Sequence, residues 1–147
     1  MCKQKRIVKL EHTLLKLSNI SDIITSEIKE IISKNSLKIK IVNIMVGEDV
    51  STLSYLRGMQ KKAINIGITL EIINLPNETD ENTFLLKLSQ LNKDDSIHGI
   101  IIQTPLPKHI DAQKVLDLIV PEKDVDGFHP VNAGKLAVGA KDAFYPC

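Results

Sequence analysis

The chain has 147 residues, of which 43% are hydrophobic and 25% charged, so it can bury a single core without metal or disulfide support. A net charge of +1 leaves no broad basic field, which excludes nucleic acid and an anionic membrane as partners. No apolar run approaches the roughly 20 residues of a membrane span, and the polar N-terminus lacks a signal-peptide core, so we expect a cytoplasmic protein. Cys2 and Cys147 lie at opposite ends without metal-ligand spacing, and we interpret them as free thiols.

The first 35 residues are predicted to be a helical lead-in. Residues 7–17 suggest an early helix, and Ser21 is a suitable N-cap for a second helix that continues toward Lys34. Isoleucines recur in this second segment with helical spacing, which predicts an amphipathic helix: Ile24, Ile28, Ile31 and Ile32.

A near-continuous apolar run over Ile39–Val46 ends at Gly47, as is typical of a strand buried on both faces, and this implies a parallel sheet. The next helix is predicted over Val50–Ile66, where Gly67 closes it. A second strand with β-branched residues follows over residues 69–75.

The second half of the chain repeats this alternation. Thr79 or Asp80 is predicted to cap a third helix, and residues 97–102 to form a third strand. Asp111 then opens a short helix that Pro121 stops. The β-α-β-α-β order predicts a three-layer α/β domain, with a mainly parallel sheet flanked by helices and joined by right-handed connections.

Polar residues follow the predicted strands where ligands bind in such sheets, beyond the carboxyl ends. Tyr55 lies shortly after the first strand and Gln103 at the end of the third, so both are expected on one edge. Asp126 comes from a turn in which Gly127 can adopt a conformation that other residues avoid, so it is expected to reach the same cleft.

Several short motifs are distributed along the chain. They are Val46-Gly47, Tyr55, Gly67-Ile68, Gln103-Thr104-Pro105-Leu106-Pro107, Asp124-Val125-Asp126-Gly127-Phe128-His129-Pro130, Asn132-Ala133-Gly134-Lys135-Leu136 and Pro146-Cys147. Together they resemble the catalytic, folate-binding domain of the methylenetetrahydrofolate dehydrogenase/cyclohydrolase family. The resemblance covers residues 39–147, and we assign the whole chain, residues 1–147, to this domain, the N-terminal half of the family's full chain. Residues 140–147 resemble the start of the linker to a nucleotide-binding domain.

The resemblance implies a role for each of three side chains. Tyr55 is expected to pack along a folate substrate, Gln103 to orient the reacting centre, and Asp126 to accept hydrogen bonds from the amino-pyrimidine edge of the pterin. Simpler roles remain open. Tyr55 is alternatively a half-buried helix residue, Gln103 a strand terminator and Asp126 a turn former.

Met59 stands four residues after Tyr55, where the resemblance implies a catalytic lysine. The resemblance implies that this lysine donates and accepts protons as water attacks the methenyl carbon and as the methylene form is oxidised. A thioether can neither donate nor accept a proton in this way. Lys62 is a candidate substitute, since it lies under Tyr55 on the helix and helical side chains lean toward the N-terminus. Its alternative role is an ordinary solvated lysine.

By resemblance the full-length family uses NADP, but this chain has no Gly-x-Gly-x-x-Gly segment and is expected to bind no cofactor. The chain is either a fragment of a longer protein or a truncated product, and its sequence leaves a homodimer open.

His98, His109 and His129 lack metal-ligand spacing, so no metal is expected. Three functions remain open: a one-carbon folate enzyme, a catalytically silent folate-binding module, and an interaction domain.

Overall fold

The computed structural model describes residues 18–47 and 50–146. The chain folds as an α/β domain whose parallel sheet has the strand order β2-β1-β3. Its elements in chain order are α1 (Ser18–Lys34), β1 (Ile39–Val46), α2 (Val50–Ile66), β2 (Ile68–Leu75), α3 (Glu81–Lys93), β3 (Gly99–Ile102), α4 (Ala112–Leu118), a 3-10 turn (Pro121–Lys123) and α5 (Pro130–Ala137).

The predicted three-layer architecture is confirmed. The β1–α2–β2 and β2–α3–β3 connections run in opposite directions across the sheet, so right-handed crossovers place α2 and α3 on opposite faces. On the α3 face, Val42 and Ile44 of β1 pack in one cluster with Phe84 and Leu88, all fully buried. On the other face, the side chain of Gln60 in α2 donates a hydrogen bond to the carbonyl of Leu70 in β2.

Local signals account for most element ends. Asp80 is the N-cap of α3 and accepts a hydrogen bond from the backbone N–H of Thr83, while Asp111 caps α4 in the same way through Gln113. Gly67 closes α2 with a φ of +88°, as predicted. Within the described residues, no helix is long and apolar enough to cross a membrane.

Several predicted boundaries were wrong. Ser21 lies inside the first described helix, Ser18–Lys34, so it is not the N-cap that its residue type predicts. The third strand begins at Gly99 instead of residue 97, because the N–H of Ile97 closes a turn onto Asp94. Helix α4 ends at Leu118, and Pro121 starts the 3-10 turn instead of stopping the helix.

The predicted apolar stripe of α1 is only partly buried. Ile32 is 6% exposed, whereas Ile24 and Ile31 are 50% and 55% exposed. The predicted helix over residues 7–17, together with Cys2 and Cys147, lies outside the described residues.

Candidate functional site

The carboxyl ends of three parallel chain segments meet at one edge of the domain. β1 ends at Val46 and β3 at Ile102. Beyond β3, Asp124 forms a parallel bridge with Ile100, and the N–H of Val125 donates to the carbonyl of Ile100. The segment that carries Asp126 therefore runs as a short extension of the sheet, and Asp126 emerges at the same edge as Gln103.

Gln103 is held by contacts from both its backbone and its side chain. Its N–H donates to the carbonyl of Ile44, which continues the ladder past β3. Its side-chain Oε1 accepts from Nδ2 of Asn43 at 3.3 Å, and its Nε2 donates to the carbonyl of Thr104 at 3.3 Å. The carboxamide is thus tied to the central strand on one side and to the following loop on the other.

Gln103 lines a cavity of about 370 Å³, called here the Gln103 cavity. Its walls come from the end of β1, the first turn of α2, and the loops after β2 and β3. The lining residues are Met45, Val46, Gly47, Thr52, Asn77, Gln103, Thr104 and Pro105.

Asp126 lines a second cavity of about 220 Å³, called here the Asp126 cavity. Its walls are mostly apolar and include Ile102, Leu106, Val115 and Phe128. Burial raises the pKa of the Asp126 carboxyl, and the nearby charge of Asp124 raises it further. A partly desolvated carboxyl of this kind gains from a ligand that brings N–H donors.

The two cavities are separate and have different walls. The Asp126 cavity is lined by Ile100 and Ile102 of the α3-face cluster, whereas the Gln103 cavity is lined by the end of β1 and by Gln103 itself. Thr104 lines both cavities and is their shared wall. An elongated ligand that passes Thr104 would reach both polar groups.

Asp124 fixes the loop that carries Asp126. It is 5% exposed, and its Oδ2 accepts hydrogen bonds from the N–H of His129 at 2.8 Å and from Nδ2 of Asn132 at 2.9 Å. Gly127 has a φ of +70°, and a Cβ at that position would lie 2.9 Å from Cγ of Pro146. The conformational freedom expected of Gly127 is therefore used.

Helix α2 carries the remaining predicted residues. Tyr55 is 62% exposed and lines neither cavity, although it lies one turn beyond Thr52, which does. Met59 is half-buried and lies seven residues after Thr52, on nearly the same stripe of the helix. Lys62 is exposed and takes part in none of the ion pairs found among the described residues.

Sequence reasoning missed several residues of this edge. Asn43 was hidden within an apolar run, and Thr104 was read only as part of a motif. Asp124 had the clearest signal, since it belongs to the same Asp-Val-Asp-Gly turn as Asp126. No group of three or more metal-binding side chains occurs within residues 18–47 and 50–146.

Comparison with known proteins identifies the family of this fold. A sequence profile described as tetrahydrofolate dehydrogenase/cyclohydrolase, catalytic domain, matches residues 15–126. The chain belongs to the tetrahydrofolate dehydrogenase/cyclohydrolase family.

Relatives of this family match the chain over part of their own length. The bifunctional protein FolD of Exiguobacterium sibiricum is 51% identical over 108 residues, which are 74% of this chain and 39% of that protein. FolD of Listeria innocua is 43% identical over 128 residues, 87% of this chain and 44% of that protein. The chain thus spans about two fifths of the length of these curated relatives.

Solved structures of the tetrahydrofolate dehydrogenase/cyclohydrolase family share the fold. The bifunctional enzyme FolD of Campylobacter jejuni matches with a TM-score of 0.85 and 36% identity, over 92% of this chain and 49% of that one. The Trypanosoma brucei enzyme, complexed with NADP cofactor and inhibitor, matches with a TM-score of 0.82 and 26% identity, over 92% of this chain and 48% of that one.

Gly47, the glycine at the end of β1, does not begin a glycine-rich phosphate cradle. Phosphate cradles of this kind need a glycine-rich turn after a strand, and the chain has no Gly-x-Gly-x-x-Gly segment. At Gly47, the glycine that ends β1, a Cβ would meet Oδ1 of Asn77 at 3.1 Å. The side chain of Asn77 therefore already packs against this backbone.

Proposed function

We propose that this chain binds the pterin end of a reduced folate at the carboxyl edge of its sheet. The observation that carries the proposal is the position of Asp126, a carboxyl with a raised pKa in a mostly apolar cavity. A pterin is flat and apolar on its faces, and its amino-pyrimidine edge offers paired N–H donors to a carboxylate. Apolar walls around the Asp126 carboxyl match that chemistry, since Asp124, the other carboxylate of the lining, already accepts from His129 and Asn132.

The size of the Asp126 cavity supports binding of one end of a ligand. Pockets that enclose a whole drug-sized ligand measure roughly 300–1,000 Å³, and this cavity measures about 220 Å³. The rest of a folate would pass Thr104 toward Gln103 and lie along Tyr55, whose ring is exposed. In this arrangement Gln103 orients the reacting centre and Tyr55 supplies stacking area.

We further propose that the chain is the folate-binding part of an enzyme of one-carbon metabolism. The whole enzyme would oxidise 5,10-methylenetetrahydrofolate with NADP and hydrolyse 5,10-methenyltetrahydrofolate to 10-formyltetrahydrofolate. Met59 argues for low activity in this chain, because a thioether replaces the lysine implied at its position. Lys62 is the remaining candidate for that role, and its exposure favours the solvated alternative. The second candidate function is therefore a catalytically silent folate-binding module.

Calorimetric titration of the 147-residue chain with tetrahydrofolate tests the proposal. We expect saturable binding of one ligand, which Asp126→Asn and Tyr55→Ala each weaken by about tenfold, the equivalent of roughly 1.4 kcal/mol. The matched control is Asp142→Asn, since the Asp142 carboxylate is exposed and paired with Lys135 outside both cavities. A chain that shows no saturable binding, or that loses equal affinity in the control, would overturn the proposal and favour an interaction domain.

A further inference from the structure

We propose that Asn43 is a positioning residue that holds the carboxamide of Gln103 in one orientation. The inference rests on the proposed folate site, because Gln103 lines one of its two cavities. It adds a residue from the centre of the sheet to that site.

Asn43 is a polar residue in a place suited to an aliphatic one. It occupies the middle of β1, the central strand, and is fully buried between Val42 and Ile44. Asparagine is depleted in strands, and a buried amide destabilises a protein unless its hydrogen bonds are satisfied. Its Oδ1 has no partner among the residues that the structure describes. Asn43 is therefore unfavourable for stability at this position.

The contact that Asn43 does make is with the site. Its Nδ2 donates to Oε1 of Gln103 at 3.3 Å across the β1–β3 pair. Residues that violate local rules occur most often where they serve function. A buried strand residue with one hydrogen bond to a site residue, and one oxygen without a partner, fits that pattern.

The hydrogen bond also determines what Gln103 presents to a ligand. Its Oε1 is directed to the central strand by Asn43, and Nε2 is directed to the loop, where one N–H donates to Thr104. The second N–H of Nε2 is left for the Gln103 cavity. Gln103 therefore offers a donor, and the ligand atom facing it is a hydrogen-bond acceptor.

The test compares Asn43→Leu and Asn43→Val with the control Ile41→Val. Leucine has nearly the shape of asparagine, and valine suits a strand, so one variant is available if the other does not fold. Ile41 lies two residues earlier on the same face of β1 and lines neither cavity. The first measurement is the NMR signal of the Gln103 side-chain amide, identified by its loss in Gln103→Glu. We expect it to move toward the position of exposed glutamines in the Asn43 variants, and to stay in place in the control.

The second measurement is the affinity for tetrahydrofolate. We expect Asn43→Leu to weaken binding about three- to tenfold, the range of one neutral hydrogen bond, while the melting temperature stays equal or rises. In a Gln103→Ala background the same change is expected to alter affinity less than about twofold, because the group it positions is gone. A purely structural role for Asn43 would lower the melting temperature of the variants and leave the amide signal in place.

Two results would overturn the inference: an unmoved Gln103 amide signal in the Asn43 variants, or an equal loss of affinity with and without Gln103. The proposed function fails by a different result, which is absence of tetrahydrofolate binding in the natural chain. In that case the amide signal still tests the contact between Asn43 and Gln103.

Discussion

Oδ2 of Asp124 lies 2.9 Å from Nδ2 of Asn132, and this bond ties α5 to the loop that carries Asp126. The same oxygen accepts the N–H of His129 at 2.8 Å, at the residue that caps α5. Asn132 also donates to the carbonyl of Pro121, at the start of the 3-10 turn. One buried carboxylate therefore joins the three consecutive segments after α4.

Replacement of Asp124 by alanine is expected to destabilise the domain by about 2–4 kcal/mol, because two partly buried donors lose a charged, buried acceptor. Urea unfolding followed by circular dichroism measures this loss. Asp95→Ala is the control, since that exposed side chain is expected to contribute less than about 0.5 kcal/mol. A loss below about 1 kcal/mol for Asp124→Ala would show that the three segments are held together by apolar packing instead.

Asp126 is expected to make the domain less stable as pH rises. Its pKa is raised in the folded state, so the folded chain binds this proton more tightly than the unfolded chain does. Stability is lost as pH rises from the unfolded pKa, near 3.8, through the folded value. Asp126→Asn removes that loss, so the variant is expected to be at least as stable as the natural chain at pH 7. Unfolding free energies measured between pH 3 and pH 7 test this.

The control variant, Asp142→Asn, is expected to change stability at pH 7 in the opposite direction. The Lys135 ammonium holds the pKa of Asp142 below its usual range. That carboxylate contributes stability above its unfolded pKa and loses it as pH falls through the folded value. Asp142→Asn should therefore remove a small stabilisation at pH 7. If both asparagine variants shifted stability in the same direction, burial would not be the dominant influence on Asp126.

The same carboxyl predicts a link between ligand binding and protons. N–H donors from a pterin favour the charged carboxylate, so binding should lower the pKa of Asp126 and release protons. Affinity for tetrahydrofolate is expected to fall as pH drops through the raised pKa of free Asp126. Titration calorimetry in buffers of different ionisation enthalpy measures the protons released. The Asp126→Asn variant should show a weaker and flatter pH profile, and an equally steep profile would place the titrating group elsewhere.

The sequence predicted best the elements with a strong local signal. The strand Ile39–Val46 and the helix Val50–Ile66 have the predicted bounds, because the strand is mostly apolar and the helix ends at a glycine with positive φ. Helix α5 was not predicted, since its central residues Asn132 and Gly134 favour helices poorly. It depends on the contact with Asp124, which brings together residues from separate elements.

The sequence alone predicted only part of the arrangement of the site. Gln103 and Asp126 do share one edge, as the order of strands and loops required. They line two different cavities, and the pairing of Asp124 beside Ile100, which no local pattern encodes, positions the loop that carries Asp126. Asn43 was missed because one polar residue does not interrupt an apolar run. The roles of Tyr55, Gln103, Asp126 and Lys62 stay predictions.

Met59→Lys is expected to raise the rate of methenyl hydrolysis. Met59 is half-buried and shares a stripe of α2 with Thr52 of the Gln103 cavity, so an ammonium there would lie near the proposed reacting centre. A positioned acid-base group contributes about 10²- to 10⁴-fold in rate. Loss of the methenyl absorbance of 5,10-methenyltetrahydrofolate, measured above the rate without protein, gives the comparison with the natural chain.

Two further variants separate the alternatives for this position. Met59→Gln introduces a polar side chain of about the same length as methionine but without a titratable group. It should give no gain in rate if proton transfer is what the lysine supplies. Lys62→Ala should leave the rate unchanged, because Lys62 is exposed and lies about 60° around the helix from Met59, the position of the implied lysine. A natural chain that matches Met59→Lys, and slows in Lys62→Ala, would instead make Lys62 the substitute for the implied lysine.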